Sequence, residues 1–134
     1  MKKSLLFRLK KDDRGASIVE FAVIALLLFA VLFGIIEFGW IFNGYITLTS
    51  AAQEGARLAI VMNDFDQAAV EQKVKDHAKI FKEENLVVTV NPKPPTYGGE
   101  TEITVIGDLD LLIAFPPLPQ KIRLSTSATM RQEQ

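Results

Sequence analysis

The most prominent pattern in the sequence is a long apolar run near its N-terminal end. Phe21 to Ile36 contains no charged or strongly polar side chain, and the apolar character continues past Glu37 to Phe42. A helix needs about 20 mainly apolar residues to cross a bilayer. The run therefore predicts one membrane-spanning helix, which we assign to residues 16–42.

The helical pattern continues beyond this span, through residues 43–62, and Asn43-Gly44 is a place where such a helix can bend. Small residues recur here at four-residue spacing, which makes one stripe of the helix nearly smooth. Two partners fit such a stripe, the protein's own sheet or neighbouring subunits, and the pattern leaves both open. The residues of this stripe are Ala51, Ala52, Gly55, Ala56 and Ala59.

Residues 63–134 predict a small domain that begins with a second, amphipathic helix running to about Glu84. Asp64 or Asp66 is expected to cap it, with Gln67 available for a capping box that starts at Asp64. Apolar residues at helical spacing give it one buried face. These residues are Val70, Val74, Ala78 and Phe81.

Three strands are predicted after this helix, at Leu86–Val90, Thr101–Ile106 and Lys121–Thr129. Pro92–Gly99 is expected to be a loop, and Leu109–Leu118 a packed loop or short edge strand, since its prolines oppose a central strand and ten residues are too few to span a membrane. The fold class is therefore α+β, with a long N-terminal transmembrane and stalk helix, one shorter helix and a small antiparallel sheet.

The net charge of −1 conceals a strong asymmetry. Residues 1–15 contain six basic and two acidic side chains, directly before the apolar run. Basic residues beside a membrane helix favour the cytoplasmic side. We therefore expect a cytoplasmic leader at 1–15 and an extracytoplasmic C-terminal domain, joined by a single membrane-spanning helix, and we expect no direct nucleic-acid binding.

Two other kinds of N-terminal segment also have a basic stretch followed by an apolar one. A conventional secretory signal peptide has a shorter apolar region that ends at a small-x-small cleavage site, which this run lacks. An unprocessed signal anchor has the same hydropathy pattern, so hydropathy alone does not exclude this alternative.

Two carboxylates flank the apolar run, Glu20 at its start and Glu37 near its end. A carboxylate in or beside a membrane helix is costly, so each needs a partner or access to the headgroups. For Glu37 we favour the outer interface, beside the interfacial aromatic residues Trp40 and Tyr45, over a specific functional role.

Three local motifs around this helix resemble the TadE-like minor pilins, or pseudopilins, of Tad (type IVc) pilus systems. They are RGxxxVEFA from Arg14, GIIEFG from Gly34 and AAxEGAR from Ala51. The resemblance implies a pilin-like fold and a prepilin processing site, with cleavage between Gly15 and Ala16 on the cytoplasmic side. The implied partners are a prepilin peptidase, other pilins and the assembly platform, in a homo- or hetero-oligomer that extends to the cell surface.

The residue types at this junction suit such processing. Gly15 has no side chain to obstruct a protease, and cleavage after it exposes an α-amino cation on Ala16. That cation and Glu20 of an adjacent subunit neutralise one another in an apolar bundle, which sets the stagger between subunits. In the processing sites of these pili a tyrosine often follows the glutamate, and this chain has Phe21 at that position. Phe21 keeps the aromatic packing but lacks the hydroxyl.

Little in the sequence indicates enzymatic chemistry. The chain has no cysteine, and its one histidine, His77, lies among charged residues on the polar side of a helix. Asp108 and Asp110 suit weak cation binding, but alternation near a turn explains them more simply, and Glu54 and Arg57 suit a surface ion pair. We expect a non-enzymatic pilus subunit without cofactor or metal; the alternative is an unprocessed single-pass membrane protein with an extracytoplasmic binding domain.

Overall fold

The computed structural model describes residues 13–92, 95, 98–113 and 119–131, with only the backbone for residues 13 and 14. The chain divides into two compact units, Met1–Ile35 and Ile36–Gln134. Most of the predicted leader, residues 1–12, lies outside the described residues.

The first element, α1, is one uninterrupted helix from Asp13 to Val61. Asn43 and Gly44 are both helical, so the predicted extension of the helix beyond the apolar run is continuous with it. Gly44 is instead a packing position: a Cβ atom there would lie 2.6 Å from Leu109 Cδ2 and 3.3 Å from Leu124 Cδ1. The glycine therefore lets the sheet approach the helix backbone.

The second helix, α2, spans Gln67–His77 and is shorter than predicted. Asp66 is its N-cap, with Oδ1 accepting a hydrogen bond from the Ala68 N–H at 2.9 Å, so the capping box predicted from Asp64 is wrong. The helix ends at His77, where the Ala78 N–H bonds to the carbonyls of Val74 and Lys75. A further turn, in which the Phe81 N–H bonds to the Ala78 carbonyl, brings the buried Phe81 back to the core.

A short 3₁₀-helix at Glu83–Asn85 leads into a three-stranded antiparallel sheet of order β1-β2-β3. The strands are β1 at Leu86–Asn91, β2 at Glu100–Asp110 and β3 at Lys121–Arg131. The α+β class and antiparallel sheet are confirmed. Leu109 and Asp110 belong to β2 rather than to a separate loop, and residues 93, 94, 96, 97 and 114–118 of the two predicted loops lie outside the described residues.

The core lies between one face of the sheet and the two helices. Alternate residues of β1 and β2 are buried, as a sheet covered on one side requires. The remaining buried residues come from the later part of α1 and from α2, with Ala78 and Phe81 completing the predicted apolar face. The largest fully buried side chains are Leu48, Ile103, Leu109, Val70, Val74, Val105 and Thr101.

Candidate functional site

The apolar run of α1 is open to its surroundings in the isolated chain. Within the described residues, one helix is long and apolar enough to cross a membrane, Gly15–Val61, and its most apolar window is 0% buried. Phe21, for example, exposes 72% of its surface and Leu26 also 72%. Such exposure is unfavourable in water and suits lipid or an apolar partner.

The predicted processing residues lie at the start of this helix. Gly15, Ala16, Glu20 and Phe21 are all exposed and all helical. Gly15 and Ala16 are in the first turn of α1, and Glu20 follows about one turn after Ala16. The arrangement leaves the Glu20 carboxylate and the Gly15-Ala16 peptide accessible to other molecules.

The Glu37 carboxylate bonds to the backbone of a distant segment, a contact that its position in the sequence does not predict. Its Oε1 accepts a hydrogen bond from the Leu112 N–H at 3.1 Å, and its Oε2 accepts one from the Ile113 N–H at 2.9 Å. Both donors lie in the segment that directly follows β2. One carboxylate thus satisfies two successive backbone N–H groups, which is the strong, charge-assisted form of hydrogen bond.

Trp40 makes the second contact with this region. Its indole Nε1 donates a hydrogen bond to the Asp110 carbonyl oxygen at 3.0 Å. Glu37 and Trp40 lie three positions apart and therefore on the same side of α1. Together they hold the segment from Asp110 to Ile113 against the helix, and we call this arrangement the Glu37–Trp40 clamp.

The side chain of Asp110 faces a different set of partners. Lys82 Nζ lies 2.8 Å from Oδ2, and Lys121 Nζ lies 3.7 Å from Oδ1. The hydrogen bond from Lys82, aided by its positive charge, lowers the pKa of Asp110, and the same pairing raises the pKa of Lys82. Asp110 therefore links the end of β2 to the turn after α2, to β3 and, through its carbonyl, to α1.

Asp108 makes a similar cross-strand pair with Arg123. Its Oδ1 lies 2.9 Å from Arg123 Nε, and its Oδ2 lies 3.4 Å from the NH2 group of the same guanidinium. This hydrogen bonding lowers the pKa of Asp108 and raises that of Arg123. Asp108 and Asp110, the two aspartates whose spacing suits weak cation binding, are thus both paired with basic side chains. The described residues hold no cluster of three or more potential metal ligands.

The small residues of α1 pack inside the protein's own domain. Ala51, Ala52 and Ala56 are completely buried, and Ala59 is 2% exposed. A Cβ atom on Gly55 would lie 2.6 Å from Val74 Cγ2 and 3.7 Å from Ile103 Cδ1. The stripe therefore packs against α2 and the sheet of its own chain, where the sequence left open a choice between its own sheet and neighbouring subunits.

The opposite side of the same stretch of helix is exposed. Phe42, Tyr45 and Ile46 are about half exposed, and they line a shallow groove with Thr49, Ser50 and Gln53. The exposed surface of this groove is mainly apolar. The groove continues the exposed apolar surface of residues 36–42.

Two other sequence expectations concern surface residues. His77 is exposed, and its Nδ1 lies 3.0 Å from the Lys73 carbonyl oxygen of the preceding helical turn. Glu54 pairs with Lys73 of α2 at 3.4 Å, where the sequence suggested Arg57 as its partner. The Glu54 pair therefore joins the two helices.

Comparison with known proteins gives one match. The family model described as TadE-like protein matches residues 15–57, which begin at the predicted cleavage glycine and end within α1. The match confirms the resemblance seen in the three motifs and covers the exposed apolar run, both clamp residues and most of the small-residue stripe. No curated protein and no solved structure matches the chain.

Proposed function

Because residues 15–57 match the TadE-like family, we propose that this chain is a minor pilin or pseudopilin, a structural or assembly subunit of a Tad-type (type IVc) pilus. A prepilin peptidase cleaves it after Gly15, and α1 then anchors it in the cytoplasmic membrane with the C-terminal domain outside the cytoplasm. The observation that carries the proposal is the family match to a helix whose start combines Gly15, Glu20 and an exposed apolar surface.

The pairing of charges gives the proposal its mechanism. The α-amino cation that cleavage creates on Ala16 and the carboxylate of Glu20 both lie where lipid would surround them in a single subunit. An unpaired charge in that setting is unfavourable, and contact between neighbouring subunits neutralises both. Assembly is therefore favoured in the one stagger that brings the amine of one subunit to Glu20 of the next.

Helix packing supplies the rest of the contact between subunits. The small-residue stripe is already filled by α2 and the sheet, so neighbouring subunits meet the other side of α1. That side carries the groove lined by Phe42, Tyr45 and Ile46. The apolar residues of the first unit are exposed as well. The exported domain then projects outward from a bundle of α1 helices.

Complementation of a strain that lacks the chromosomal copy tests this proposal. The wild-type chain is expected to restore pili, whereas Gly15→Val, which adds a branched side chain at the cleaved bond, accumulates uncleaved and restores none. Ala22→Val is the matched control, because it adds similar bulk at an exposed position of the same helix. If Gly15→Val restores pili as well as the wild type, the chain acts as an unprocessed membrane protein.

A further inference from the structure

The Glu37–Trp40 clamp fixes a segment with an exposed apolar side chain beside the end of the apolar run. Leu112 exposes 55% of its surface although its own N–H is bonded to Glu37. Glu37 is the first charged residue after the apolar run, one position beyond Ile36. Leu112 is therefore held at the level of α1 where the uncharged stretch ends.

The groups near Glu37 and Leu112 are too polar for this part of α1 to lie in the hydrocarbon interior of a bilayer. Asp110, Lys82 and Lys121 form ion pairs just beyond this level, and the segment after β2 is irregular backbone. Charged groups and irregular backbone that faces lipid are not tolerated in the bilayer core. The spanning part of α1 then ends near Ile36 rather than at Phe42, and Gly15–Ile36 still spans roughly 33 Å at about 1.5 Å per residue.

The same level suits the headgroup region. Trp40 is an amphipathic ring whose N–H is satisfied by Asp110, and tryptophan is enriched at membrane interfaces. Lys82 and Lys121 are about half exposed, so part of each side chain remains open to anionic headgroups. Apolar Leu112 beside these groups gives the amphipathic composition of an interfacial element.

We propose that Leu112 and the segment held by Glu37 form a second membrane contact, inserted in the outer headgroup region of the bilayer that α1 crosses. The inference rests on the membrane anchoring of the proposed function. It adds a partner, the lipid interface, for a part of the exported domain that lies 75 positions from the clamp residue in sequence. The contact fixes the height of the domain above the bilayer in the unassembled subunit.

Spin labelling tests this proposal, since the chain contains no natural cysteine. The full chain, reconstituted in phosphatidylethanolamine and phosphatidylglycerol vesicles, carries one nitroxide at Leu112→Cys, Phe29→Cys or Val87→Cys. Phe29 lies in the apolar run, and Val87, 56% exposed on β1, is the control for a surface position in water. Collision with oxygen reports lipid, and collision with a water-soluble nickel chelate reports solvent.

The proposal predicts a ratio of oxygen to nickel collisions at Leu112 that lies between the ratios at Phe29 and Val87. In a Glu37→Ala background the ratio at Leu112 should fall toward that at Val87, while the ratio at Phe29 stays the same. A Leu112 ratio equal to that at Val87, with Phe29 in lipid, overturns this inference alone. A label at Leu112 shielded from both reagents identifies a protein contact and also overturns it. If Phe29 reports water, membrane anchoring itself is wrong.

Discussion

The carboxylate of Glu37 lies 2.9 Å from the backbone nitrogen of Ile113, 76 positions further along the chain, and accepts its hydrogen bond. The contact joins α1, at the end of its apolar run, to the segment that follows β2. It is one of several contacts between the part of the chain that the family model matches and the part that lies beyond the match.

Replacing Glu37 with Ala is expected to lower the free energy of unfolding of the C-terminal domain by about 1–3 kcal/mol, because two backbone N–H groups lose a charged acceptor. The measurement is chemical denaturation in detergent micelles, followed by the fluorescence of Trp40, the only tryptophan. Trp40 should also emit at longer wavelength before unfolding, since the segment that covers it is released.

Glu54→Ala is the control for this change. Its exposed ion pair with Lys73 is worth only about 0–1 kcal/mol, and it lies away from Trp40. If Glu37→Ala has no greater effect than Glu54→Ala on stability and leaves the emission unchanged, the clamp does not stabilise the domain.

Gly55→Ala is expected to destabilise the domain, although alanine is more favourable than glycine in a helix by about 1 kcal/mol. The added Cβ would lie 2.6 Å from Val74 Cγ2. Val74 is fully buried, and a β-branched residue in a helix strongly prefers one rotamer, so the clash is not easily relieved; overpacking of this kind costs about 1–3 kcal/mol.

A double-mutant cycle identifies the cause. Gly55→Ala combined with Val74→Ala should be more stable than the sum of the two single effects, since the second change removes the clashing methyl group. Gly39→Ala, whose Cβ meets no atom within 4 Å, should leave stability unchanged or slightly raised. Simple additivity of the Gly55 and Val74 changes would contradict this packing.

The C-terminal domain is expected to lose stability in acid partly through Asp108 and Asp110. Their pKa values are lower in the folded protein than the ordinary value of 3.8. Each carboxylate therefore stabilises the fold above that value, and the stabilisation is lost as the pH falls through the folded-state pKa. Because the groups are exposed to solvent, the effect is small.

Asp110→Asn checks this dependence. Denaturation midpoints are compared at about pH 7 and about pH 3, on either side of the ordinary carboxylate value. The variant should be less stable than the wild type at neutral pH and should lose less stability on acidification. An equal loss in both proteins would show that the pair with Lys82 contributes nothing to folding.

The sequence predicted the membrane helix, α2, the three strands and the buried face of α2, because each follows from the period of apolar residues within one element. It did not predict the end of α2 at His77. The spacing of Ala78 and Phe81 fits a continued helix, but the chain turns at Ala78, and both residues are still buried. The apolar period therefore identifies the buried residues but not the end of the helix.

The role of Glu37 was equally inaccessible from the sequence. Its hydrogen-bond donors are the backbone N–H groups of residues 112 and 113, which carry no sequence signal, and they come near α1 only because β2 packs along it. The stripe of small residues predicted a close approach without identifying the partner. The residues of α2 and β2 that fill it, Val74 and Ile103, became known from the structure.

Charge pairing during assembly predicts different outcomes for two changes at Glu20. Glu20→Gln keeps the shape and removes the charge, so we expect normal insertion and cleavage but few pili. Glu20→Asp keeps the charge on a shorter side chain and should retain part of the assembly. Pili sheared from cells are quantified beside the membrane content of the subunit. Wild-type amounts of pili from Glu20→Gln would exclude the pairing mechanism.

The N-terminus of the mature protein tests the central proposal most directly. The protein is purified from the membranes of cells that produce the pilus, and its intact mass and N-terminal sequence are determined by mass spectrometry. The proposal predicts a mature chain that begins at Ala16, with Glu20 as its fifth residue. A mature chain that retains Gly15 and the basic residues before it would contradict the account and would identify an unprocessed membrane anchor.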